Sequence, residues 1–339
     1  MMRIAHVCFP LERVGGIRTY MDELNKAFLK LGHKVDEYYI TTNKLKKPEP
    51  NKNTFNISNI LGFEKFYWLD ELKKTLNDYD MLLFQNPCPH LLKNYRRSDW
   101  MKVYENLDSD KIIAVIHDPY LEKYYPWFRP LAEKFNIKLL SPQTKSYEAT
   151  KHIKTMNKII LLPYSKKCNV KPIKEPIIVD ANNFKSIKHK DLIFNYSEFK
   201  KYKIYEFGDL STLEARQFMK VAEENKDFNI IVKGWVDRSY ILGVLKRAMF
   251  GLDFSRFKNV SCSMNYTILE YVDYYVMPVT IFPLDKRYNI KSISPDRLVY
   301  DKEIIQHNKK QLDRLNPKEI ALKIIDYLKE PYEKPKSWW

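Results

Sequence analysis

The chain has only four cysteines, Cys8, Cys88, Cys168 and Cys262. They stand far apart with no paired spacing, which excludes a disulfide framework and a cysteine zinc site and leaves buried thiols as the reading. No apolar run reaches the roughly eighteen residues that a spanning helix needs, and Met1-Met2-Arg3-Ile4 lacks a signal-peptide core. An intracellular, cytoplasmic protein that is not integral to a membrane is expected. The seven histidines are scattered, so neither a zinc set nor a Ser-His-Asp arrangement is visible. No repeat of solenoid length recurs. Glycine is scarce, with eight residues, while Lys, Asn, Ile and Tyr abound.

What is present is a chain of 339 residues, long enough for two domains of ordinary size. Hydrophobic residues at 45% and charged residues at 29% belong to a globular protein, not a disordered or fibrous one. Fifty-eight Lys and Arg against forty-two Asp and Glu give a net charge of +16. Such a surface attracts phosphate polymers or anionic lipid. An AT-rich genome also inflates lysine, so only part of the charge argues for a polyanionic partner.

The first half alternates strand and helix. Arg3 to Phe9 reads as a buried parallel strand, Pro10 to Gly16 as a loop, Ile17 to Leu31 as a helix stopped by Gly32, and His33 to Ile40 as a second strand. Gly15-Gly16 stands at the mouth of that helix, where bare backbone lets an anion approach amide donors; a tight turn is the plainer reading. Thr41 to Lys52 reads as a surface excursion. Helices over Phe66–Leu76 and Trp100–Leu107 alternate with strands over Asp80–Gln85 and Lys111–Ile116, as in a doubly wound parallel sheet. The last of these strands runs into His117-Asp118, at the carboxyl end where such sheets put functional loops. Asp108-Ser109-Asp110 precedes its strand and reads as a turn rather than a metal-binding pair. A helix over Pro130–Phe135, a strand over Ile137–Leu140, a helix over Lys145–Met156 and a strand over Lys158–Leu162 complete the first domain.

Pro163 to His189 holds lysines and prolines with little periodicity and reads as a crossing, with the boundary near residue 170. The second domain is expected to run over residues 171–329, with an aromatic tail at 330–339. It begins at a strand over Leu192–Asn195. A helix over Thr212–Asn225 capped by Ser211, a strand over Asn229–Lys233, a helix over Tyr240–Met249 and a strand over Phe250–Phe254 follow. Asn265-Tyr266-Thr267-Ile268-Leu269-Glu270 then reads as the start of a helix, with a strand over Pro278–Phe282 behind it. A short helix carrying a carboxylate about one turn inside its start is how α/β enzymes can hold a ribose. Helices over Glu303–Arg314 and Pro317–Lys329 close the chain, the latter with Pro317 at its first position.

Gly15-Gly16-Ile17-Arg18-Thr19-Tyr20 with Leu31-Gly32-His33-Lys34-Val35, and Asn265 to Glu270 with Met277-Pro278-Val279, resemble the two signatures of the retaining family 4 class of GT-B glycosyltransferases. Within that class the likeness is to the phage DNA α-glucosyltransferases that modify hydroxymethylcytosine, which share the Tyr-Thr-x-Leu-Glu segment and the His-Asp pair at a strand end. The resemblance implies two Rossmann-like, doubly wound α/β domains facing a central cleft. It also implies sugar transfer from a nucleotide sugar, UDP-glucose or a relative, with retention and no required metal or other cofactor. The partner it implies is double-stranded DNA carrying hydroxymethylated pyrimidine. A monomer is expected, in the host cytoplasm if a phage encodes it.

By the same resemblance His117 and Asp118 are catalytic. Gly15, Gly16, Lys200, Lys201, Lys203, Asn265, Tyr266, Thr267 and Glu270 bind the donor, with the lysines on its diphosphate. Arg96, Arg97, Lys123, Trp127 and Arg129 are candidates for gripping DNA around an extruded base, although a basic aromatic stretch also suits a membrane surface. Two departures from the family pattern stand out. Cys262 replaces a glutamate eight positions before Glu270, which removes a carboxylate from the sugar hydroxyls. Tyr274-Tyr275 replaces small residues and implies a different turn. Transfer to cell-surface glycan or lipid, and nucleic-acid binding without catalysis, are the alternatives.

Overall fold

The computed structural model describes residues 1–8, 16–41, 53–56, 76–86, 104–117, 126, 128–184, 188–255 and 264–332. The chain divides into two units, Met1–Pro163 with the segment from Pro317 onward, and Tyr164–Asn316. The first unit therefore ends earlier than the sequence reading placed it, and the last helix belongs to it. Of the helices expected near Phe66–Leu76 and Trp100–Leu107, most residues lie outside those described.

In the first unit, β1 (Arg3–Cys8), β2 (Lys34–Thr41), β3 (Asn53–Asn56), β4 (Met81–Gln85), β5 (Ile112–Val115), β6 (Lys138–Ser141) and β7 (Asn157–Ile159) form one sheet. Their order is β3-β2-β1-β4-β5-β6-β7, and every pairing is parallel. The runs Ile4–Cys8, Met81–Gln85 and Ile112–Val115 are buried residue after residue, as expected of a sheet covered on both faces. The helix Gly16–Lys30 buries Tyr20, Met21, Leu24, Ala27 and Phe28, and stops where Gly32 turns left-handed at φ 83°. The helix expected to reach Met156 spans only Thr144–Thr150; the Thr150 hydroxyl donates back to the Ser146 carbonyl at 2.7 Å. The terminal helix Pro317–Lys329 docks through Ile320, Ala321, Ile324, Ile325, Tyr327 and Leu328. Buried Lys138 of β6 caps it, donating to the carbonyls of Tyr327, Leu328 and Glu330, where a helix end favours a cation.

In the second unit, β8 (Glu175–Asp180), β9 (Lys203–Phe207), β10 (Asn229–Lys233), β11 (Ala248–Asp253) and β12 (Met277–Thr280) form an all-parallel sheet in the order β10-β9-β8-β11-β12. Three sequence expectations are overturned here. The segment read as a crossing contains the central strand β8, whose apolar run is only Ile177-Ile178-Val179 and is hidden among lysines and prolines. Leu192–Asn195 is the end of a 3-10 turn, because a short apolar run does not by itself distinguish strand from buried turn. Lys203, read as one of the diphosphate lysines beyond a strand end, instead opens strand β9 (Lys203–Phe207).

The carboxyl ends of β8 and β9 are stapled by ions. Lys190 donates to Glu206 at 2.6 Å and lies 3.1 Å from Asp180; all three are buried. Burial opposes the charge on Lys190, yet Asp180 and Glu206 together hold it above the ordinary lysine value. One ammonium faces two carboxylates, so burial, with Asp180 adding to it, pushes Glu206 up to about 8. Its Oε1 takes no hydrogen bond. A carboxyl raised in the folded state binds a proton that the unfolded chain has released, so its stabilisation is complete at low pH and fades as pH rises. The melting temperature should therefore fall between pH 4.5, the ordinary value, and about 8, and Glu206→Gln should flatten that slope in a pH series of thermal denaturation. Lys190→Met, which strands Asp180, should destabilise by about 3–5 kcal/mol in urea unfolding.

Candidate functional site

In parallel sheets ligands gather at the carboxyl edge, where the strand order reverses. The order in the first unit reverses between β1 and β4, and in the second between β8 and β11. Both edges carry polar groups.

In the second unit β11 ends in Asp253, which is fully buried. Its carboxylate accepts from the Ser255 amide at 3.0 Å, from the Ser255 hydroxyl and from Asn265 Nδ2 at 2.5 Å, and Lys188 Nζ lies 3.7 Å away. Asn265 in turn caps the helix Tyr266–Asp273, accepting from the Ile268 amide at 2.9 Å. Lys188, which follows β8, donates to Ser255 Oγ at 2.6 Å and Asn182 Oδ1 at 3.0 Å. Thus one carboxylate joins the loop after β8 to the start of the helix after β11. The helix is also held along its length. Tyr271 packs on Gly251 of β11, where an added Cβ would meet the ring at 2.4 to 2.6 Å. The Tyr271 hydroxyl accepts from the Ala181 amide at 2.9 Å and donates to the Leu252 carbonyl at 3.1 Å.

Glu270 sits in the second turn of this helix, 8% exposed, and its Oε1 pairs with Arg238 and, at 3.7 Å, with Lys167. Arg238 opens the helix Arg238–Arg247 that follows β10. Just before it, Trp235, Val236, Asp237, Ser239 and Tyr240 line a shallow, open depression. Trp235 is 58% exposed, an uncommon state for an indole. Tyr266 and Thr267 form the first turn beside Asn265, with the Tyr266 ring 6.4 Å from that of Tyr164.

The lysines expected on a diphosphate lie elsewhere. Lys203 is the first residue of β9, so Lys200, Lys201 and Lys203 stand at the amino edge of the sheet, opposite Asp180 and Asp253. Lys200 pairs with Asp227, Lys201 with Glu198 at 2.6 Å, and Lys203 lies over the Tyr205 ring. The misplacement follows directly from reading Leu192–Asn195 as the first strand. Lys188, one loop after the true first strand, was missed for the same reason; Arg238 and Trp235 were missed because they carry no periodic signal.

In the first unit His117 follows β5. Its backbone amide donates to Asn86 Oδ1 at 2.9 Å, its Nε2 lies 2.8 Å from Gln85 Oε1, and the Tyr20 ring meets it edge-on at 5.0 Å. Burial, with His6 adding to it, lowers His117 to about 3, so the ring is neutral. His6 of β1 is fully buried, and burial holds it near 4 even though its Nδ1 bonds Asn25 Oδ1. Gly16 opens the helix after β1, and an added Cβ there would meet nothing within 4 Å. Arg129 is paired with Glu133 at 3.1 Å. Asp108 caps a 3-10 turn at Ser109–Lys111, the turn that was expected. Cys8 and Cys168 are buried thiols that form no disulfide. Gly15, Arg96, Arg97, Asp118, Lys123, Trp127, Cys88 and Cys262 lie outside the described residues. Among the described residues no His, Cys, Asp and Glu cluster suits a metal, and no helix is long and apolar enough to cross a membrane.

By sequence the chain matches no family model and no curated protein. Its fold matches solved structures across nearly its whole length. One is an α-glucosyltransferase in complex with UDP and a 13-mer DNA containing an HMU base, with TM-score 0.70 and 12% identity, covering 97% of this chain and 100% of that one. Another is HepE of Anabaena in complex with UDP and glucose, with TM-score 0.72 and 9% identity over the same shares. A third is AviGT4, a glycosyltransferase involved in avilamycin A biosynthesis, with TM-score 0.62, 13% identity and 97% coverage of both chains. These neighbours are GT-B glycosyltransferases, and the two parallel-sheet α/β units of this chain have the GT-B fold.

Proposed function

We propose that this chain is a glycosyltransferase that moves a sugar from a UDP-linked donor to a hydroxyl on a hydroxymethylated pyrimidine in double-stranded DNA, with retention of configuration. The observation that carries the donor half is the second unit's switch point, where Lys188 and an asparagine-capped helix share the Asp253 carboxylate. Neighbours of this fold are complexed with UDP or UDP-glucose.

As the glycosidic bond breaks, the departing diphosphate gains negative charge. Fixed donors aimed at that charge lower the barrier. Lys188 and the first-turn amides at Tyr266 and Thr267 supply them without a metal, since a helix start favours anions. Glu270 accepts from the ribose hydroxyls, and Arg238 and Lys167 hold its carboxylate ready. Trp235 offers its ring face to the base. Gly16 leaves room for donor phosphate or sugar, His117 meets the acceptor hydroxyl, and Asp118 takes its proton or steadies the oxocarbenium-like transition state.

The acceptor reading draws on the net charge of +16 and on a neighbour complexed with DNA. Arg96, Arg97, Lys123, Trp127 and Arg129 are the DNA-gripping candidates. Transfer to a cell-surface glycan or lipid is the second reading, supported by a fold likeness to HepE as strong as that to the DNA-bound neighbour.

Saturating UDP-glucose, at about a hundred times its dissociation constant, should stabilise the protein by about 2.7 kcal/mol, roughly 5–10 °C in melting temperature. A screen in which no nucleotide sugar moves the melting point would sink the donor site. Lys188→Ala and Glu270→Gln should each weaken donor binding by about 1.5–3 kcal/mol, roughly tenfold to a hundredfold by calorimetry. Labelled sugar should enter hydroxymethylated duplex and not plain duplex; a donor-binding protein that labels no modified DNA leaves the glycan reading.

A further inference from the structure

We infer that Gln85 positions His117 as a neutral imidazole protonated at Nε2, so that its Nδ1 lone pair accepts a hydrogen bond from the acceptor hydroxyl. The identity of that hydroxyl rests on the sugar-transfer reading; the state of the ring does not.

The argument starts from charge. Arg18 donates to both oxygens of Glu37, at 2.9 and 3.2 Å, which fixes an ionised carboxylate beside β1. Glu37 Oε1 accepts from Asn25 Nδ2 at 2.7 Å, so the Asn25 amide is oriented with its oxygen toward His6. An oxygen only accepts, hence His6 Nδ1 carries the proton. With that ring neutral, Nε2 of His6 is a bare lone pair, buried and without a partner.

Gln85 is fully buried at the end of β4. It lies on the same face as His6, since His6 pairs with Leu83 and Gln85 is two residues on. Its amide can turn either way. In the structure its Oε1 faces His117 Nε2 at 2.8 Å, while its buried Nε2 takes no partner. His117 must then donate from Nε2. Nδ1 takes no hydrogen bond from any described residue and is left as the acceptor. Asn86, at φ 57° where asparagine is tolerated, and the edge-on Tyr20 ring hold the imidazole in place. A ring so depressed in basicity orients a hydroxyl and does not take its proton, which leaves proton transfer to Asp118 or the departing phosphate.

Nitrogen-15 NMR of the full chain, with the His117 signals assigned by their loss in His117→Asn, should find one tautomer, protonated at Nε2 and bare at Nδ1. A proton on Nδ1 in the native protein would overturn the inference without any variant. Gln85→Leu should yield a mixture of tautomers, while Gln85→Glu, still an acceptor, should keep the single form. In transfer assays Gln85→Leu should lower kcat/KM for the acceptor by roughly tenfold to a hundredfold and leave the UDP-glucose melting shift unchanged. Gln85→Glu should recover most of that loss. Mixed tautomers with unchanged acceptor kinetics would overturn the positioning role. Absence of transfer in the native protein would instead overturn the sugar-transfer reading, with the tautomer still deciding the state of His117.

Discussion

The Asp253 carboxylate, wholly buried at the end of β11, accepts from Ser255 and Asn265 and faces Lys188. An ionised carboxylate out of water is tolerated only when its lone pairs are met by fixed donors. Meeting that demand determines where three segments go: the turn after β11, the start of the helix Tyr266–Asp273, and the loop after β8. Once they are fixed, Glu270 has a defined place on its helix and Lys188 a defined place over the sheet edge. Gly251 completes the arrangement by admitting the Tyr271 ring where a methyl group would collide.

The first unit solves the same geometric problem with neutral groups. At its switch point stand His6, Asn25, Gln85, Asn86 and His117, and both imidazoles are kept uncharged by burial. Fixed dipoles suit a hydroxyl, which exchanges one hydrogen bond and no net charge. Fixed ions suit a diphosphate, whose charge must be matched. The contrast between the two edges thus follows the chemistry proposed for each.

Sequence alone revealed what periodicity carries. Strands β1, β2, β4, β5 and β10 and the helices Gly16–Lys30 and Pro317–Lys329 are legible because their apolar spacing runs for a strand or several turns. The hexapeptide ending at Glu270 was legible as a capped helix start, because Asn265 is a strong cap and an apolar strand follows. Strand β8 was not, since three β-branched or apolar residues among prolines and lysines fall below any periodic signal. That omission displaced the diphosphate lysines to the wrong edge of the sheet. The ion triad of Asp180, Lys190 and Glu206 was equally hidden, since partners ten to twenty-six residues apart meet only once β8 and β9 pair in parallel. The return of Pro317–Lys329 to the first unit is capped by a buried lysine, Lys138, which looks in sequence like any other.

Glu270 raises a final electrostatic question. A carboxylate that grips a ribose stands near the diphosphate of the same ligand, and two anions about 6 Å apart in a medium of effective dielectric about 20 repel by roughly 3 kcal/mol. Uncompensated, that repulsion would cancel much of what a ribose hydrogen bond contributes. Arg238 and Lys167 on the Glu270 oxygen remove the conflict, because the ion cluster presents excess positive charge to the ligand while the carboxylate keeps lone pairs for hydroxyls. With Lys188 and Asp253 included, three cations stand against two carboxylates, and a UDP-linked donor held as proposed would meet net positive charge.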